Sequence, residues 1–240
     1  MNDIDISKPH EYDHRHADVS SGWLRASVFG AMDGLVSNVG LIAGIAAAGA
    51  SPGIVAITGV SGLVAGAASM ALGEFTSVRT ANEQLDKEVR TEQEAHRRNP
   101  AGEQAELAAL FARLGMEQDV AEVAAGQVHA NSEQAVRVHL AHELALTPED
   151  RPSPWVAAVS SFVAFAIGAL IPILPFLFGF GTLWWGLAFG GAGLLLAGGI
   201  AAGITRRSWL AGAVRQLVLG GVAVAATYAV GMLLGVSSLG

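Results

Sequence analysis

The chain contains no cysteine, which excludes disulfides, thiolate metal sites and cysteine nucleophiles. Charge is scarce as well. Only 15% of its 240 residues are charged, against 52% hydrophobic, and the mean hydropathy is +0.45. Those values lie outside the soluble globular range and point to a polytopic membrane protein. The first 25 residues have no apolar core preceded by positive charge and carry Asp3, Asp5, Glu11, Asp13 and Asp18. No cleavable signal peptide is expected.

What the chain does have is apolar length. A spanning helix needs about 20 predominantly apolar residues, and five segments qualify: 26–49, 53–75, 155–178, 183–204 and roughly 212–236. The short links Ser51-Pro52-Gly53 and Gly179 to Thr182 predict two tight antiparallel hairpins. All fourteen basic residues fall in three places: Lys8, Arg15 and Arg25; Arg79 through Arg151; and Arg206, Arg207 and Arg215. With five spans these regions share one side of the membrane. The other side receives 50–52, 179–182 and the C-terminal tail, with no Lys or Arg. The positive-inside rule then places the N-terminus and the middle segment in the cytoplasm and the C-terminus outside.

The expected fold is an all-α membrane protein with five transmembrane helices and a cytoplasmic helical metal-binding domain between spans 2 and 3. Residues 1–25 form a cytoplasmic N-terminal segment, 26–75 the first two spans, 76–153 the domain and 154–240 the last three spans. Glycine pairs four residues apart (Gly30/Gly34, Gly40/Gly44, Gly62/Gly66, Gly199/Gly203, Gly231/Gly235) predict close helix approach. Pro172 and Pro175 interrupt the third span and free backbone carbonyls there, with a plain kink as the simpler reading.

Residues 76–153 hold fourteen acidic and eight basic residues and four of the seven histidines. A helix over about 77–97 continues out of the second span. Others follow over 102–114, stopped by Gly115, over 117–130, and over 132–146, which starts at Ser132 and ends before Pro148. Leu107, Leu110, Phe111 and Leu114 recur with the period of an amphipathic helix.

Two constellations could carry chemistry. Asp33 lies inside the first span, where an ionisable group costs about 2.5–3.5 kcal/mol. Ser37 and Asn38 follow it, and on the second span Met70 and Glu74 share a face. Carboxylate, thioether and hydroxyl or carbonyl groups suit a borderline divalent ion such as Fe²⁺, Mn²⁺, Co²⁺ or Zn²⁺, and a ligating carboxylate can exchange its proton for the metal. A structural hydrogen bond is the plain alternative for Asp33, an interfacial side chain for Glu74 and a core position for Met70. The second constellation is in the domain. Glu88, Glu92 and His96 recur one turn apart, Glu103 and Glu106 are three apart, and His139 and Glu143 are four apart, with His142 beside them. Helical bundles present metal ligands at such spacings, although Glu-rich helix faces are more often merely solvated.

The runs ASVFGAMDGLVSN and LIAGIAAAGAS, then SGLVAGAASMALGEFTSV, HELAL, FAIGALIPILPF and VRQLVLGGVAVAATYAVGMLLG, resemble the vacuolar iron transporter family from His16 onward. The resemblance implies a five-span homodimer that moves Fe²⁺, often also Mn²⁺, out of the cytosol in exchange for protons. The family's membrane Asp and Met match Asp33 and Met70. Its acidic, Met-containing cytoplasmic ligands match Glu92, Glu103, Glu106 and Glu143. The chain departs from that pattern at three places. The expected Met pair falls on His139 and Leu140, so imidazole would replace thioether. An expected acid falls on Ala95, leaving Glu94, His96 or Glu88 to substitute. A second-span carboxylate of some members falls near Gly62.

The implied function is a divalent-metal exporter and not an enzyme, with Fe²⁺ or Mn²⁺ as the transported ion and no prosthetic group. Its partners are divalent ions, protons, membrane lipid and a second copy, with no nucleic acid. A bacterial plasma membrane is expected in preference to a vacuolar one. The alternative is a membrane-tethered ferritin-like metal-binding or iron-oxidising protein. Against it, a tether needs neither Asp33 nor five spans, and Ala109 stands where a di-iron Glu-x-x-His pair would place histidine after Glu106. A transporter of an organic solute or a different ion would leave the Glu/His array idle.

Overall fold

The computed structural model describes residues 22–143 and 151–237. Within them the chain forms eight helices: α1 (Trp23–Ala47), α2 (Pro52–Arg98), α3 (Pro100–Arg113), α4 (Gln118–His129), α5 (Ser132–Glu143), α6 (Pro154–Leu177), α7 (Leu183–Ile204) and α8 (Trp209–Ser237). Five of these (α1, α2, α6, α7 and α8) are long and apolar enough to cross a membrane. The protein is a multi-pass integral membrane protein.

The 47-residue α2 is the element that organises both halves. At 1.5 Å per residue it is about 70 Å long, more than twice the hydrocarbon thickness of a bilayer. Its first half is apolar and its second half, from Arg79 onward, is charged. One helix is therefore both a span and the stem of the helical domain. Pro52 sits in its first turn, where a missing N–H costs nothing.

In the bundle α1 is central and packs on α2, α6, α7 and α8. Its crossing with α6 is close because Gly30 and Gly34 lie directly on the α6 backbone at Ser161 and Phe165. From the other side Gly168 abuts Ala31, and a Cβ at Gly34 or Gly168 would run into a backbone carbonyl. Small-residue faces thus serve contacts within the chain. Pro172 and Pro175 lie inside α6, which stays helical to Leu177.

The domain is built from the end of α2 with α3, α4 and α5. Leu107, Ala108 and Phe111 of α3 close on Ala121 and Ala125 of α4 as its core. Asn99 caps α3 by accepting from the Gly102 N–H, and the helix stops at Arg113, just before Gly115 with φ +102°. The N-cap of α5 is Asn131, whose side chain accepts from the Glu133 and Gln134 N–H groups, while Ser132 is the first helical residue. The expected extension of this helix to 146 lies outside the described residues. Asp86 of α2 pairs with Arg151 at 2.7 Å, and Asn82 donates to the Pro152 carbonyl. These contacts hold the stem against the entry to α6.

Candidate functional site

The first polar site lies in the bundle. Asp33, Ser37, Asn38 and Leu41 of α1, Gly62, Gly66, Ser69 and Met70 of α2, and Phe165 of α6 line a cavity of about 270 Å³. Asp33 and Ser37 are exposed at its open side and Met70 is half-buried. Ser37 is not free to move, because its hydroxyl donates to the Asp33 carbonyl at 2.6 Å. Gly62 matters as a space. A Cβ there would press on Leu41 and lie 3.3 Å from the Asn38 oxygen.

Asn38 is 2% exposed. Its amide nitrogen donates to two backbone carbonyls, Ala169 on α6 at 2.8 Å and Gly59 on α2 at 3.2 Å. Those bonds pin α1 between its neighbours and fix which way the amide points. The Oδ1 atom, a buried acceptor on a cavity-lining residue, has no hydrogen-bond partner. An orphan oxygen of this kind needs a cation or a water to compensate it. Sequence reasoning placed Asn38 near Asp33 but assigned it no role.

Glu74 does not line this cavity. Its side chain is 10% exposed and pairs at 3.1 Å with Arg25, at the start of α1. It braces the two spans at the end of the bundle that bears the domain.

The second site is in the domain and joins four helices. His96 comes from the end of α2, His129 from the end of α4 and His139 from α5. One ring nitrogen of each lies within 4.8 Å of the others. The ring centroids are 4.7–5.3 Å apart. Carboxylates approach from two helices, α2 and α3. Glu92 lies 3.3 Å from Nδ1 of both His96 and His139, and Glu103 of α3 lies 3.8 Å from His139. Glu92, His96 and Glu103 also bring ligand atoms within 4.8 Å of one another.

The histidine tautomers follow from the backbone. His96 Nδ1 lies 3.2 Å from the Glu92 carbonyl and His129 Nδ1 lies 2.9 Å from the Ala125 carbonyl. A carbonyl only accepts, so each Nδ1 carries the proton and each Nε2 keeps its lone pair. Both Nε2 atoms are buried without a hydrogen-bond partner. Burial pushes the His96 pKa below the ordinary histidine value, partly offset by the bond to the Glu92 carbonyl. The neutral, ligating form of His96 is therefore favoured.

The domain residues expected from sequence separate into three groups. Glu92, Glu103 and His139 meet at this centre. Glu88 and Glu106 do not belong to either group of converging ligand atoms. Glu88 lies one turn, about 6 Å, back along α2. Glu106 is exposed, offset by about 60° from Glu103, which shares a face with buried Leu107. The Glu143 side chain lies outside the described residues. The residue that sequence reasoning missed is His129. A usable signal was present, since His129 continues the stripe of Ala121 and Ala125 at four-residue spacing, and both alanines are fully buried.

These features define a class: a five-span helical membrane protein with a polar cavity between spans and a buried Glu/His centre in a helical domain. Residues 24–232 match the model of the VIT family. The "Vacuolar iron transporter" of Acanthamoeba castellanii is 33% identical over 229 residues, covering 92% of this chain and 82% of that protein. "Vacuolar iron transporter homolog 1" of Oryza sativa subsp. japonica is 34% identical over 226 residues, covering 89% and 74%. "Vacuolar iron transporter 1" of Eucalyptus grandis is 31% identical over 169 residues, covering 69% and 67%. The chain belongs to the VIT family.

Proposed function

We propose that this protein is a divalent-metal transporter that exports Fe²⁺ or Mn²⁺ from the cytosol in exchange for protons. The observation that carries the reading is the convergence of Asp33, Met70 and the unpartnered Asn38 oxygen on one cavity between spans. Carboxylate, thioether and amide oxygen suit a borderline ion in transit, and they are few enough to let it leave. Family membership and relatives named as iron transporters point the same way.

The charge pattern supports the direction. Arg25, Arg79, Arg151, Arg206, Arg207 and Arg215 belong to the side that bears the domain, so that side is cytoplasmic by the positive-inside rule. The domain then faces the cytosolic metal, and Glu92, Glu103 and His139 capture it. An exposed Asp33 on a spanning helix is costly against lipid. A second copy docked on the open side of the cavity would cover it and make one shared path across a two-fold axis. The inward proton protonates the carboxylate and releases the ion, since ligation requires the deprotonated form. An inside-negative potential opposes cation export by about 2.3 kcal/mol per charge per 100 mV. Exchange of one M²⁺ for one H⁺ still moves positive charge outward, and a second proton would make it electroneutral. A bacterial plasma membrane is the host we favour.

The test is Fe²⁺ and Mn²⁺ flux in proteoliposomes, with and without an imposed pH gradient, wild type beside Asp33→Asn. Gradient-dependent flux that disappears in the variant supports the exporter. A well-folded preparation that binds metal tightly and carries no flux would move the function to a membrane-tethered metal-binding protein.

A further inference from the structure

The domain centre differs from the acidic, Met-containing ligand set that the family resemblance implies. Three of its converging side chains are imidazoles, brought together from three different helices. A packed trio of histidines with no ligand would be an expensive way to fill a core. His96 is 7% exposed, and its Nε2, like that of His129, is a buried acceptor with nothing to accept from. Each such atom costs about 1–3 kcal/mol if left uncompensated. Both rings are already held through Nδ1 by backbone carbonyls, the arrangement that orients an imidazole for metal binding through its other nitrogen.

We propose that His96, His129 and His139, with an oxygen from Glu92 or Glu103, form a nitrogen-rich centre for an imidazole-preferring divalent ion such as Zn²⁺, Co²⁺ or Fe²⁺, and that this centre disfavours Mn²⁺. Neutral imidazoles suit those ions, whereas Mn²⁺ suits carboxylate, carbonyl and water oxygens. The two carboxylates supply the compensating negative charge. The inference deepens the reading of the domain as a metal-capturing unit and gives it a filter. Metals that reach the cavity at Asp33 would be those the imidazoles have accepted.

Affinity order alone cannot test this, because Mn²⁺ binds more weakly than Co²⁺ at most N/O/S sites. The informative quantity is how the Co²⁺ to Mn²⁺ affinity ratio changes when one ring is removed. The full-length protein in detergent micelles would be titrated with Co²⁺ and Mn²⁺, comparing wild type, His129→Gln and Glu106→Ala. His129 is the least buried of the three rings, so its replacement disturbs the fold least. Co²⁺ affinity is expected to fall about tenfold or more in His129→Gln, the scale on which even supporting residues of metal sites act. Mn²⁺ affinity should change little, so the ratio narrows. Glu106→Ala, on the exposed face of the same domain, should leave both unchanged. Flux at saturating Fe²⁺ should persist in His129→Gln, which separates failure of this centre from failure of the transport reading. An unchanged ratio in a folded His129→Gln protein would overturn the proposal. A second readout needs no variant. Co²⁺-loaded wild type should give paramagnetically shifted, slowly exchanging imidazole N–H signals from the rings held at Nδ1. Their absence when Co²⁺ is bound would overturn it equally.

Discussion

In the bundle, Asp33 stands exposed at the mouth of a cavity, with one thioether and one amide oxygen among its neighbours. In the domain, three imidazoles converge inside a four-helix cluster, with the Glu92 and Glu103 carboxylates 3.3 and 3.8 Å from one of them, His139. The first arrangement offers few ligands and an open side. The second offers several ligands, buried and held in place before any ion arrives. An ion in transit must bind weakly enough to leave, whereas an ion being selected gains from a rigid set that rejects the wrong metal. The single helix α2 supplies Met70 to one site and Glu92 and His96 to the other, so the two differ in packing environment more than in connection.

The comparison breaks most visibly at Asp33. Asp33→Asn is expected to reduce proteoliposome flux to that of protein-free vesicles while metal titration of the domain stays at wild-type affinity. Substantial residual flux would remove Asp33 from the path. Next in size is Asn38→Leu, which removes both the clamp to the Gly59 and Ala169 carbonyls and the cavity oxygen. Interhelical hydrogen bonds of this kind are worth about 0.6–2 kcal/mol in lipid. Denaturation in mixed micelles should register that loss, together with slower flux. A destabilised protein with undiminished flux would make Asn38 a brace only.

Much of this architecture was legible because apolar length and punctuation are local properties. Four of the spanning helices have both ends within a few residues of their expected limits, α2 starts at Pro52, within a residue of its expected limit, and it runs without a break into the domain as expected. The start at Pro52 and the stop before Gly115 follow from single residues. Ligand convergence is not local. Glu103 and Glu106 look equivalent as an i, i+3 pair, and only the packing of Leu107 and Phe111 into the domain core turns the first inward and leaves the second in solvent. His129 escaped notice because it has no acidic partner on its own helix at ligand spacing. Its neighbours arrive from α2 and α5 at crossing angles that periodicity does not encode.

The pair Glu103 and Glu106 gives a sharper, smaller test of the domain. Glu103→Ala should weaken Co²⁺ binding by about tenfold, as loss of a ligand or its close support does. Glu106→Ala should leave the titration unchanged within error. Equal losses in both variants would mean that the helix face as a whole attracts metal and that no centre discriminates between its carboxylates.

The smallest effect is expected at Glu74, and it decides where the path begins. Its carboxylate is buried but its partner Arg25 is 69% exposed. In Glu74→Gln the remaining amide oxygen still accepts from the guanidinium, and Arg25 keeps its water. The loss should therefore resemble that of a surface pair, about 0.2–1 kcal/mol. That corresponds to a fall in Tm of at most about 2–4 °C for a chain of this size, with flux and its pH-gradient dependence retained. A near-silent variant fits a brace between α1 and α2, as the geometry has it. A variant that kept its Tm but lost gradient-dependent flux would place Glu74 on the route of the ion or the proton. The proposed transit site would then extend from Asp33 to the domain end of the bundle, and the contrast between a sparse cavity and a dense Glu/His cluster would narrow by one carboxylate.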